Sequence, residues 1–121
     1  MSRGARRLAE RRGRRAEWVA ALWLMAKGYR ILGQRVRTGF GEIDIAALRG
    51  DILAIVEVKA RASLAQGLNA VGPMQRGRLG RAAEAIAGRW GLGRARLRHD
   101  VIVIAPWALP VHVRGAWLEG D

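Results

Sequence analysis

The chain of 121 residues contains no cysteine, which excludes disulfides, a thiolate metal site and a cysteine nucleophile. No run of about 18 apolar residues is long enough to cross a bilayer, and no apolar segment near the start resembles a signal peptide. The cytoplasm is therefore the expected location, and a membrane is not an expected partner. The two histidines, His99 and His112, have no neighbour at metal-ligand spacing and read as ordinary residues. Lysine is almost missing: Lys27 and Lys59 stand among 20 arginines. Acids are also scarce, 10 against 22 bases, giving a net charge of +12. That imbalance favours polyanions, of which nucleic acid is the commonest large one, and it fits a nonspecific or ribosomal contact as well as a specific one. The length suits one domain with a real core.

Against this background, the stretch from Gly39 to Arg61 is unusual, because it sets several acids inside strand-like apolar sequence. Ile43, Ile45, Ile52, Leu53, Ile55, Val56 and Val58 suit a pleated, buried surface, and Arg49-Gly50-Asp51 interrupts them with turn chemistry. Gly followed by Asp suits a two-residue type II′ loop with a positive φ at Gly50. Arg49 then faces Ile52, and stepping back places Asp44 opposite Glu57 and Glu42 opposite Lys59. Directly opposite residues share a face with Cβ atoms about 4.5–5.5 Å apart. Two carboxylates that close are unfavourable unless a cation lies between them, and hard divalent ions prefer such oxygens. An ion-pair network of Glu42 and Lys59 at a strand end is the alternative reading.

Gly41-Glu42-Ile43-Asp44-Ile45-Ala46 followed by Val56-Glu57-Val58-Lys59-Ala60-Arg61 resembles the UPF0102 (YraN-like) family of small bacterial proteins. The core of that family is similar to the PD-(D/E)XK restriction-endonuclease-like nucleases. The likeness extends from about Gly13 to Ile104. It implies that Asp44 and Glu57 bind Mg²⁺ or Mn²⁺, that the Val58 carbonyl is a further ligand, and that Lys59 handles the attacking water or the scissile phosphate. Ala16-Glu17-x-x-Ala20-x-x-Trp23-Leu24 is similar to the family's Gly-Glu-x-x-Ala-x-x-Tyr-Leu helix, whose Glu approaches the active site; Glu17 thereby joins the metal candidates. Without the resemblance, Glu17 is a first-turn partner of a helix dipole.

The rest of the chain supplies scaffold and positive charge. Residues 1–15 carry seven arginines against Glu10 and read as a flexible basic arm, with residues 16–121 as the single domain. Val19, Leu22, Trp23 and Ala26 repeat at helical spacing up to Gly28, a suitable stop. A strand is expected from Tyr29 to Arg37, followed by the Thr38-Gly39-Phe40-Gly41 turn. Residues 62–72 show no period and read as a loop. Pro73 opens a helix to about Trp90 with Leu79, Ala83, Ile86 and Trp90 as its apolar stripe, and Gly77 and Gly80, each costing about 1 kcal/mol relative to Ala within it, suggest close packing against the sheet. Asp100-Val-Ile-Val-Ile-Ala reads as a buried strand, its acid in a structural hydrogen-bonding role, and Trp107 to Leu118 as an edge strand.

The expected architecture is α/β: a restriction-endonuclease-like mixed central sheet flanked by helices, with a basic N-terminal arm. The expected function is metal-dependent hydrolysis of phosphodiester bonds in nucleic acid, DNA being favoured. Lys59, Asp44 and Glu57 are the catalytic candidates. Arg35, Arg37, Arg61, Gln75, Arg76 and Arg78 are the candidates for nucleic-acid contact, Gln75 standing where the family has a lysine. The competing function is a nuclease-like fold that binds nucleic acid without cutting it.

Overall fold

The computed structural model describes residues 2–117. Its elements are α1 (Arg3–Ala26), β1 (Arg30–Thr38), β2 (Gly41–Arg49), β3 (Ile52–Ala60), α2 (Leu64–Asn69), α3 (Pro73–Arg89), β4 (Arg96–Ile104) and β5 (Val111–Trp117). Leu118, placed at the end of the expected last strand, lies outside the described residues.

The five strands form one sheet in the order β1-β2-β3-β4-β5. β1, β2 and β3 are antiparallel neighbours, β3 and β4 are parallel, and β5 returns antiparallel to β4. The parallel step is the expected strand-helix-strand crossover, carried by α2 and α3. Alternating residues of β3 divide the core. Ala54 and Val56 pack with Ala20, Ala21 and Leu24 of α1, whereas Leu53 and Ile55 pack with Leu79, Ala82, Ala83 and Ile86 of α3. The mixed α/β sheet with helices on both faces is the architecture that the sequence suggested, and it is consistent with a nuclease-like fold. Among the described residues, no helix is long and apolar enough to cross a membrane.

Three local features differ from expectation. The basic arm is not a separate segment, because α1 runs unbroken for 24 residues from the Ser2 cap, whose hydroxyl accepts from the Ala5 amide at 3.1 Å. Arginine and alanine are strong helix formers, and a capping serine gives the charged run a defined start. The run is nevertheless exposed throughout residues 2–12. Second, the stretch read as a loop contains α2, started by Ser63, which accepts from the Gln66 amide at 3.2 Å. Gly67 lies so close to Val103 that a Cβ would collide with it, which fixes α2 against β4. Third, Gly77, expected from its glycine identity to approach the sheet, is exposed, with only the Arg81 guanidinium near it.

Asp100 supports the sheet's far end, as its structural reading anticipated. Its fully buried carboxylate accepts from Arg98 Nε and Nη2 at 2.8 Å, from His112 Nε2 at 2.7 Å and from the Gly115 amide at 3.0 Å. Burial pushes this carboxyl up, but the bonds from His112, Arg98 and Gly115 outweigh it and hold it below the usual range. Arg98 also bonds the Tyr29 hydroxyl, and Lys27 Nζ lies 2.6 Å from His112 Nδ1. Since an ammonium only donates, Nδ1 accepts and the Nε2 hydrogen points at Asp100. The network ties β4 and β5 to the end of α1.

Candidate active site

The β2–β3 hairpin has the expected register. Arg49 faces Ile52 across a turn in which Gly50 has φ +60°, and pairing continues to Ile45 opposite Val56. It stops one step before Asp44 and Glu57. Ile45 faces the α1 cluster and Ile43 the α3 cluster, so strict alternation breaks across Asp44. On the other side, Arg35 lies between the pairs Gln34–Ile45 and Val36–Ile43 with φ +51°, outside the ordinary strand region. The sheet therefore opens around Asp44. Its Oδ2 accepts from the Val58 amide at 2.9 Å in place of a ladder bond.

Glu57 and Lys59 share a face of β3, as a period of two requires, with Nζ 3.9 Å from Oε2. Glu57 is 3 % exposed. Gln75, in the first turn of α3, donates to Oε2 at 3.1 Å. Oε1 is also buried, and no donor reaches it in hydrogen-bond geometry. Burial first, and the charge of Asp44 second, push the Glu57 carboxyl up to about 8. Burial raises Asp44 too, against the bond from Val58. Both shifts favour a proton held by the pair in neutral solution.

The expected Glu42–Lys59 pair does not form. Glu42 lies opposite Arg37 and 3.9 Å from its Nε, because β1 covers that edge of β2 while β3 has already diverged. Glu17, buried on α1, approaches the site closely enough for its charge to raise Asp44. It is neutralised, however, by Arg35: Nε lies 3.0 and 2.9 Å from the two carboxylate oxygens and Nη2 lies 2.8 Å from one. This bond holds the guanidinium above its ordinary value. Arg35 is therefore an internal partner of Glu17, not the free phosphate contact expected of it.

The other basic candidates divide similarly. Arg37 and Arg78 are exposed, and Arg78 lines a groove with Phe40, Gly41, Glu42 and Gln75 beside the Glu57 face. Arg61 is exposed, with Nη1 2.9 Å from the Ala60 carbonyl, and lines a different groove with Arg12 and Arg15. Arg76 is committed elsewhere: Nε donates to the Val71 carbonyl at 3.1 Å and the guanidinium covers the Trp117 ring at 5.3 Å. Helical rotation turns it away from Gln75. Gln75 is present in the site, but through Glu57 and not as an open donor.

Among the described residues, no three His, Cys, Asp or Glu side chains converge as a metal-holding group. The donor set is the Asp44–Glu57 pair. Such a pair fits Mg²⁺ or Mn²⁺, which are commonly held by one or two carboxylates and complete their shell with water and phosphate oxygens. The bare Oε1 is the strongest sign of fit, since a buried carboxylate oxygen without a donor needs a proton or a cation.

The pattern described as "Uncharacterised protein family UPF0102" matches residues 16–104. The chain belongs to this family. A UPF0102 protein of Maricaulis maris is 52% identical over 118 residues, covering 97% of this chain and 93% of its own. One of Caulobacter vibrioides is 54% identical over 110 residues, covering 90% and 88%. A third, from Mesorhizobium japonicum, is 48% identical over 114 residues, covering 93% and 91%. In this UPF0102 chain the matched region begins at Ala16 and ends at Ile104, so it takes in Glu17, Asp44, Glu57, Lys59 and Gln75 and leaves out most of the basic start of α1.

Proposed function

We propose that this UPF0102 protein is a metal-dependent endonuclease acting on nucleic acid, with DNA as the favoured substrate. The observation that carries the reading is the buried Glu57, its Oε1 lacking a donor, with the half-buried Asp44 and Lys59 beside it. Asp44 and Glu57 would hold Mg²⁺ or Mn²⁺, which when bound would supply Lewis acidity for the reacting phosphate and the attacking water. The Val58 amide fixes the orientation of Asp44, and the Gln75 amide does the same for Glu57. Lys59 stands at 16 % side-chain exposure, close enough to the pair to donate to a phosphate oxygen or orient water. Arg78 and Arg37 attract the backbone on either side.

The test is incubation with Mg²⁺ or Mn²⁺ and single-stranded, duplex, flap and branched substrates. Cleavage should require the metal and vanish in Asp44→Asn. Activity that survives this substitution places the chemistry elsewhere. A second reading, a binding module that does not cut, is favoured by Arg35, which closes Glu17 off from the pair. It predicts salt-sensitive binding, no cleavage of any substrate, and no effect of Asp44→Asn.

A further inference from the structure

Trp18 is 59 % exposed, an unusual position for a large aromatic on a helix whose neighbouring turns hold the core. Its surroundings are specific. Arg14, Glu17, Trp18, Gln34 and Arg35 line a hollow of about 370 Å³ between α1 and β1. Arg14 precedes Trp18 by one helical turn and so shares its side of α1. Gln34 pairs with Ile45, next to Asp44. Glu17, between Trp18 and Arg35, acts on Asp44 through its charge. The hollow is therefore linked to Asp44 through Glu17 and Gln34, while the Arg78 groove is linked to Glu57 through Gln75, which lines it and donates to that carboxylate.

We infer that Trp18 is a stacking platform for an unpaired base, with Arg14 holding the adjoining phosphate, so that the substrate class is nucleic acid with at least one nucleotide out of duplex beside the cleaved bond. This deepens the endonuclease reading and rests on it. A bare indole offers a π-face that every base can cover, whereas a paired base in a duplex has both faces covered by its neighbours. The exposed arginines at positions 3, 6, 7, 11, 12, 14 and 15 extend along the same helix and supply the charged track that such platforms accompany. Beyond Trp18 the helix surface continues with Leu22 and Met25, both exposed. They offer no π-face and serve as controls.

The experiment measures binding by fluorescence anisotropy in EDTA, where no cleavage occurs. Three labelled probes of equal length are used: an oligothymidine strand, a strand of abasic sites with the same phosphates, and a blunt duplex. Trp18→Ala should weaken oligothymidine binding about 5- to 150-fold, the range given by about 1–3 kcal/mol per stacked base. It should leave the abasic strand and duplex unchanged; Trp18→Phe should keep most of the affinity and Leu22→Ala all of it. Unchanged oligothymidine binding in Trp18→Ala, an equal loss on all three probes, or an equal loss in Leu22→Ala overturns the stacking site while leaving the nuclease reading intact. Wild-type protein that binds none of the probes likewise overturns the stacking site, and the metal-dependent cleavage assay then decides the nuclease reading by itself.

Discussion

Replacing Glu57 with Gln removes one titrating proton from the site and little else, since the amide matches the protonated carboxyl in shape and can still accept from Gln75. In the wild-type protein the carboxyl has an ordinary value of 4.5 and rises to about 8 on folding, through burial and then the charge of Asp44. Between these values the folded state keeps a proton that the unfolded chain releases. The associated stability is thus complete below 4.5 and is lost as pH climbs to about 8. At about 1.36 kcal/mol per tenfold change in proton affinity, the loss is at most about 5 kcal/mol, comparable with the whole stability of a small domain. Asp44 shifts in the same direction. Asp100, lowered on folding, acts oppositely but is present in both proteins and cancels in their difference. Melting of the two proteins in EDTA from pH 5 to pH 9 should therefore start together and diverge, the variant being more stable by about 10 °C or more at the alkaline end. Divalent metal at pH 9 should restore wild type, by about 2.7 kcal/mol at a hundredfold excess over Kd, and leave Glu57→Gln unmoved. Parallel curves across the range would refute the buried-proton account.

Lys59→Ala should lower a cleavage rate about 10²-fold or more with binding nearly intact, and Lys59→Arg should not restore it, because a planar fork cannot copy a compact ammonium; single-turnover kinetics and anisotropy on one substrate check both. Deleting residues 2–12 removes exposed positive charge and no core, so nucleic-acid affinity should fall and its salt slope flatten with Tm almost unchanged; unaltered binding would make the segment a bystander. Asp100→Ala leaves Arg98, His112 and the Gly115 amide without their acceptor and should cost about 3–5 kcal/mol in denaturant unfolding, a loss that a solvated Asp would not produce.

The hairpin was legible because its information is local: a Gly-Asp turn fixes the register, and the period of two then assigns faces as far as Ile45 and Val56. The bend at Asp44 was not legible. It depends on β3 leaving β2 while β1 stays paired with it, a property of three strands at once, and it redirected Glu42 to Arg37. The Glu17–Arg35 pair was equally hidden, since nothing in either segment shows that a strand residue at φ +51° will reach across to a helix 18 positions earlier. Arg76 was misplaced for a simpler cause. One residue of helix turns a side chain by about 100°, so Gln75 and Arg76 cannot both face Glu57. Ser2 and Ser63 carried the signals for the helix starts that charge and aperiodicity obscured.

The charge balance of the site joins its two unusual features. With a proton on Glu57, the charges of Glu17 and Asp44 are matched by those of Arg35 and Lys59, so the metal-free pocket is locally neutral although the protein is strongly basic. On the nuclease reading, exchanging the Glu57 proton for a divalent ion leaves a net positive charge at the bottom of the opened sheet. A phosphate has a reason to settle there only after that exchange, and a settled phosphate in turn favours the ion. Metal and nucleic acid then raise each other's affinity by the same factor, as linkage demands. On the same reading Arg35 would set the size of that factor, because by neutralising Glu17 it removes a negative charge that would otherwise hold the ion without substrate.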